Sequence, residues 1–257
     1  MPLIPRRRRN PQASMTIIEH LTELRKRLII SVIAVTVASS VGWVFFDRIF
    51  GLFVDPYCDT LRNLPERIRP FTGTRCGLIY TGVPDAFLIR FKIAFFTGFA
   101  IALPIVLFEL WRFVTPGLTQ RERRLAIPFV LSSLVLFALG GFFGFLTLEK
   151  GLQFLLGFGG KTLTPLFTVD RYVGFLLLLI MAFGLSFEFP LVLIFLAGAR
   201  VITTAQLRKQ RRLAYFLIAV AAAVITPSQD WYTMTAMMVP LILFYEISIL
   251  VARAFGR

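Results

Sequence analysis

The chain has 257 residues, 57% of them hydrophobic and 16% charged, with a formal net charge of +14 and mean hydropathy +0.76. Soluble domains carry about a quarter charged residues, so these values exclude an ordinary soluble domain and point to an integral membrane protein. One histidine, His20, and two cysteines, Cys58 and Cys76, exclude a site needing two imidazoles and a disulfide-framework fold.

Residues 1–27 form a basic segment ahead of the first apolar run, Leu28 to Phe46. That run is longer than the 7–15 residue core of a secretory signal, and more such runs follow it, so it reads as a spanning helix over 28–49. A polar stretch from Gly51 to Pro84 holds both cysteines. The second span is expected over 85–112, with Arg90 and Lys92 snorkelling at its outer end. The third is expected over 125–150 and the fourth over 171–199, where Glu188 is the only charge between Tyr172 and Ala199. The fifth, 213–226, is short, and the sixth, 231–252, is interrupted by Glu246. Residues 253–257 form a tail. The expected fold is an all-α integral membrane protein with six transmembrane helices.

Orientation follows from the basic residues. Segments 1–28, 112–124, 200–212 and 252–257 carry 7, 4, 5 and 2 of them, 18 of the 28 in the chain. Both termini are therefore expected on the cytoplasmic side of a cell membrane. The same belts argue against nucleic acid as the basic partner, because juxtamembrane Lys and Arg attract anionic lipid headgroups.

No enzyme motif survives inspection. The chain lacks H-E-x-x-H and G-x-x-x-x-G-K-[ST], and Gly184-Leu185-Ser186-Phe187 lacks the following glycine and a histidine base. No catalytic residue, metal or cofactor is expected. The informative residues are carboxylates in unusual places. Glu188 sits mid-helix, where a charge is costly unless it is neutralised or faces a polar cavity. With Ser186 and Pro190 it is expected to make a kinked polar notch, serving either packing or a substrate or partner path. Glu23 precedes Arg27 by four residues, a favourable salt-bridge spacing, and Glu122 sits among Arg121, Arg123 and Arg124. Each reads either as an ordinary surface pair or as a receptor for a cationic ligand. Glu109 and Arg112, three apart, are expected to pair. Asp230 is placed to cap the last helix. Cys58 and Cys76 fall in an outer loop where a disulfide is permitted, constraining the denatured loop by roughly 3 kcal/mol in the entropy model.

Four motifs occur in order: His20-Leu21-Thr22-Glu23-Leu24-Arg25-Lys26-Arg27-Leu28; Phe113-Val114-Thr115-Pro116-Gly117-Leu118 with Glu122-Arg123-Arg124; Phe183 through Pro190; and Thr226-Pro227 with Asp230. From about Ile18 to Arg253 the chain resembles TatC, the multispanning subunit of the twin-arginine protein translocase. The resemblance implies a receptor for signal peptides bearing two adjacent arginines on folded export substrates. Glu23, Arg25, Phe113, Glu122 and Arg124 become the expected signal-peptide site. Glu188, with Ser186, Pro190 and Asp230, becomes a concave groove facing partner subunits. The resemblance further implies TatA and TatB as partners, a possible homo-oligomer within the receptor complex, a short fifth and sixth helix, and energy from the proton-motive force. The rival reading is a proton-coupled secondary transporter of a small solute using Glu188.

Overall fold

The computed structural model describes residues 17–62, 78–114, 126–157, 167–198, 201–228 and 230–254. Nine α-helices occur among them: α1 (Ile17–Val44), α2 (Phe46–Arg62), α3 (Asp85–Val114), α4 (Ala126–Gly157), α5 (Val169–Phe187), α6 (Phe189–Gly198), α7 (Thr204–Lys209), α8 (Arg211–Ile225) and α9 (Trp231–Ala254). Five stretches are long and apolar enough to cross a membrane: Ile18–Val44, Asp85–Phe113, Ile127–Gly157, Val169–Gly198 and Trp231–Arg253. Their outward faces carry exposed Leu28, Val32, Val37, Phe91, Leu131, Leu139 and Leu243. Apolar surface on this scale belongs against lipid rather than water. The molecule is a multi-pass membrane protein.

The core forms around α5, most of whose residues are buried, among them Tyr172, Val173, Leu176, Leu179 and Phe183. Helix α4 packs along it, and α1 packs along α3. Both contacts need glycine. A Cβ on Gly42 would lie 2.8 Å from the Ala94 carbonyl oxygen, and one on Gly98 would lie 2.5 Å from Ser39 Cα. Close backbone approach of this kind replaces the hydrophobic drive that lipid cannot supply between helices.

The described helix ends fall into two groups. At one end, His20 stacks on Phe113, Trp111 on Phe129, and Phe195 packs edge-on to Trp111. At the other, the Tyr172 hydroxyl donates to the Phe53 carbonyl at 2.8 Å, and Phe154 packs on Trp231. There, too, Ile79 and Thr168 form a parallel bridge, with the Val169 amide donating to the Ile79 carbonyl at 2.8 Å.

Four expectations change. The stretch after the first span is not simply a polar loop. Helix α1 stops at Val44 and α2 follows through a turn at Phe45. Phe46, Ile49, Phe50, Phe53, Val54, Tyr57 and Leu61 line one side of α2 and pack into the core, while Asp47, Asp55 and Asp59 are exposed on the other. Pro56 is tolerated because this amphipathic face is held by packing. The third helix continues past 150 to Gly157. The fourth span is two helices, broken at Glu188. Finally, α9 is not short. Its 24 residues reach about 36 Å at 1.5 Å each, because Glu246 is satisfied within the bundle rather than ending the helix. Of the six stretches expected to span, α8, with 15 residues, or about 22 Å, is the one whose described helix falls below a hydrocarbon thickness near 30 Å.

The glycine contacts make a direct test. Gly98→Val is expected to destabilise the purified protein by about 3 kcal/mol through overpacking. Gly174, where a Cβ meets nothing within 4 Å, should accept alanine and gain roughly 0.5–1 kcal/mol. Thermal unfolding of both variants checks the pair, and equal melting behaviour would contradict the close α1–α3 seam.

Candidate functional site

The first acidic cluster lies where the start of α1 meets the end of α3. Arg27 donates through Nη2 to Glu23 Oε1 at 2.9 Å and through Nη1 to Glu109 Oε2 at 2.8 Å. The three side chains are 14%, 19% and 8% exposed in the order Arg27, Glu23, Glu109. The i, i+4 pair of Glu23 and Arg27 follows from helix geometry. Long-range contact with Glu109 was not legible from spacing, which suggested Arg112 instead. The structure gives Glu109 to Arg27, while the Arg112 guanidinium lies 5.6 Å from the Phe108 ring centroid. Arg27 Nε is buried without an acceptor among the described residues. Its fork is therefore spread between two carboxylates rather than docked in parallel on one.

His20 stacks on Phe113 with ring centroids 4.4 Å apart, holding the first turns of α1 against α3 beside Glu23. Arg25 is exposed on the same helix. Thus Glu23 and Phe113 are brought to one end of the α1–α3 pair. Glu122 and Arg124 lie outside the described residues.

The second cluster surrounds the break between α5 and α6. Glu188 caps α5 and its carbonyl accepts from the Leu191 amide at 3.0 Å, so the chain turns into α6 with little loss of backbone bonding. Pro190, lacking an N–H, fits the opening turn of α6. The Ser133 hydroxyl of α4 donates to Glu188 Oε2 at 2.5 Å, and Oε1 is buried without a partner among the described residues. Ser186 and Pro190 turn elsewhere. The Ser186 hydroxyl meets Met237 Sδ at 3.6 Å, and Ser248 approaches the Pro190 carbonyl at 3.4 Å, both toward α9. The helix is interrupted at Glu188, but Ser186, Glu188 and Pro190 do not converge on one polar point. Glu188 and Ser186 do line a groove of about 780 Å³ between α5–α6 and α8, with Leu241 and Tyr245 of α9 also lining it.

Charges that the sequence left at helix ends find partners. Lys92 of α3 pairs with Asp170 of α5. Arg90 stacks over Trp43 and Phe46, at 5.1 and 5.0 Å from their ring centroids. Glu246 accepts from Arg211 and from the Tyr215 hydroxyl, each at 2.5 Å. Asp230 caps α9, accepting the Thr233 amide at 2.8 Å and its hydroxyl at 2.7 Å. Cys58 is buried in the α2 face, and Cys76 lies outside the described residues.

A bundle of apolar helices with carboxylates bound to arginine at one end and a glutamate-lined groove at its side defines a polytopic membrane protein. The family model for Sec-independent protein translocase protein (TatC) matches residues 19–240. A TatC protein of Frankia casuarinae is 43% identical over 239 residues, which are 92% of this chain and 65% of that protein. The chain thus spans just under two thirds of that relative. It spans 84% of a TatC protein of Desulforapulum autotrophicum at 38% identity over 93% of this chain, and 97% of one from Aquifex aeolicus at 40% identity over 95% of this chain. A crystal structure of a twin arginine translocase receptor, TatC, superposes with TM-score 0.75 at 38% identity, covering 93% of this chain and 100% of that one. The chain belongs to the TatC family of Sec-independent protein translocase proteins, a family of transport subunits rather than enzymes. Nothing in these matches supports the rival reading of a small-solute transporter.

Asp230 offers a pH test. Burial alone would raise its pKa, but bonds from Ser228, from the Thr233 hydroxyl and from the Thr233 and Tyr232 amides outweigh that and hold it below the ordinary 3.8. A depressed folded-state pKa means the stabilisation is complete above about 3.8 and is lost as pH falls through the lower folded value. Asp230→Ala is therefore expected to cost about 1 kcal/mol at neutral pH. The gap from wild type should narrow as the medium is acidified below that range, read by thermal unfolding in a detergent stable to acid. A gap independent of pH would contradict an ionised cap.

Proposed function

We propose that this chain is the receptor subunit that recognises twin-arginine signal peptides of folded export substrates. The carrying observation is the geometry at Glu23. One of its carboxylate oxygens is engaged by Arg27, the residue lies beside the His20–Phe113 stack, and its side chain keeps partial exposure. Guanidinium binds carboxylate through planar, charge-assisted bonds that an ammonium does not copy, so an arginine pair is the guest such a site selects. By family resemblance Glu122 serves as a second acceptor, with Arg25 and Arg124 beside the two carboxylates.

The proposed topology has six spans, α1, α3, α4, α5–α6, α8 and α9, with both termini in the cytoplasm. The 22 Å reach of α8 then thins the bilayer locally. Glu188 lies within the membrane and lines the concave side where the partner subunits TatA and TatB or the signal peptide dock, and by family resemblance Ser186, Pro190 and Asp230 add to that contact surface. Several copies form the receptor complex, driven by the proton-motive force. Cys58 and Cys76 pair as a structural disulfide on the outer side.

Crosslinking of the purified full chain to synthetic signal peptides tests the reading. Wild type should capture an Arg-Arg peptide at least about tenfold better than its Lys-Lys counterpart. Glu23→Ala and Glu122→Ala should each lose the Arg-Arg product while still inserting in the membrane. Retention in both variants would refute the site. A thiol count on the denatured, unreduced chain checks the cysteine pair: two reactive thiols would exclude it.

A further inference from the structure

The acidic cluster at the head of α1 contains a residue that none of the motifs includes. Glu109 sits on α3, four residues before Phe113, and is buried among the apolar side chains of that helix. Its one recorded hydrogen bond is to Arg27. A carboxylate so placed is costly unless paired, and a fully apolar residue would pack there at no such cost.

Charge explains its presence. Glu23 and Arg27 alone would be neutral, leaving no attraction for a cationic guest. Adding Glu109 gives two carboxylates around one guanidinium, a net charge of −1. The geometry distributes that charge unevenly. Glu109 takes Nη1 and Glu23 takes only Nη2, while Nε, which a parallel two-bond pairing with one carboxylate would often use, has no acceptor among the described residues. Arg27 is thus drawn toward α3 and engages Glu23 by a single bond through Oε1. No hydrogen bond to Glu23 Oε2 is recorded among the described residues.

We propose that Glu109 is a positioning residue for signal-peptide recognition: by holding Arg27 on α3, it prevents that arginine from occupying Glu23 fully and so reserves the Glu23 carboxylate for an arginine of the guest. This rests on the reading of Glu23 as the acceptor. An arriving guanidinium meets an anionic site whose internal cation is already anchored elsewhere, so it replaces one bond rather than a bidentate pair. Arg27 then keeps its bond to Glu109, and neither buried group is left unpaired during the exchange.

Removing Glu109 has a distinctive consequence. In Glu109→Gln the neutral amide competes poorly, Arg27 turns both arms to Glu23, and the pocket becomes electrically neutral. Binding should fall although Glu23 is intact. Replacing the internal competitor as well, in the double variant Glu109→Gln with Arg27→Gln, leaves Glu23 unmasked and restores a net charge of −1. A role limited to joining α1 and α3 predicts the reverse, since the double variant loses both ends of the joint.

The test is binding of an Arg-Arg signal peptide to the full chain in detergent, with a Lys-Lys peptide as reference, for wild type, Glu23→Ala, Glu109→Gln and the double variant. Glu109→Gln should weaken Arg-Arg binding about tenfold. The double variant should recover to within about threefold of wild type, as expected when a competing charged pair is removed. Thermal unfolding of each preparation identifies any variant that has not folded, and the neutral Gln–Gln pair preserves a hydrogen bond across the joint. If Glu23→Ala binds normally, the recognition reading falls and this inference with it. If Glu23→Ala fails to bind but Glu109→Gln binds as wild type, or the double variant binds worse than the single one, the positioning role alone is overturned.

Discussion

A single guanidinium shared between two helices constrains one end of this molecule. Arg27 reaches from α1 to Glu109 on α3 while keeping its intrahelical bond to Glu23. Neither α3 nor α1 can withdraw without leaving Glu109, which is only 8% exposed, without its arginine partner. The glycine seam at Gly42 and Gly98 acts in the same direction. It lets the two backbones approach closely enough for the side chains to meet. Stacking of His20 on Phe113 extends the contact to the first turns of α1. The Glu23 part of the proposed receptor surface is therefore built on packed helices.

The opposite flank follows different physics. Helix α5 is largely buried, and α6, beyond the interruption at Glu188, packs against α9. The groove beside the break is lined mainly by Leu, Ile and Ala, with Glu188 as its charged lining residue. Ser133 engages one carboxylate oxygen, so the glutamate is oriented by α4 while lining a cavity shared with α8. Elsewhere charges are matched across helices, as with Glu246, Arg211 and Tyr215. That matching lets α9 continue through its acidic residue.

Hydrophobic run length was enough to read α1, α3, α4, α5–α6 and α9 from the chain, because lipid forces each span to satisfy its backbone internally. Helix α2 escaped that reading for a physical reason. Its apolar residues recur at Phe46, Ile49, Phe50, Phe53, Val54, Tyr57 and Leu61, a helical period, but the face is balanced by Asp47, Asp55 and Asp59 and interrupted by Pro56. A hydropathy scan averages such a face away, whereas a periodicity scan would have found it. Helix α7 is six residues long and announced only by the Thr203–Gln206 capping box. At the site, Glu23 and its bond to Arg27 were legible because i, i+4 neighbours meet on any helix. The Arg27–Glu109 bond spans 82 residues, and local spacing offered Arg112 as the nearer partner. The polar notch was overestimated for the same kind of reason. Ser186 and Pro190 lie near Glu188 in sequence, but positions two apart on a helix do not share a face.

Recognition turns on which atoms an incoming arginine touches. The most direct measurement is an experimental structure of the full chain bound to a twin-arginine signal peptide. A guest guanidinium on the Glu23 carboxylate, with Arg27 still hydrogen-bonded to Glu109, is the predicted result. A bound peptide whose arginines lie elsewhere, with the Glu23–Arg27 pair undisturbed, would contradict it.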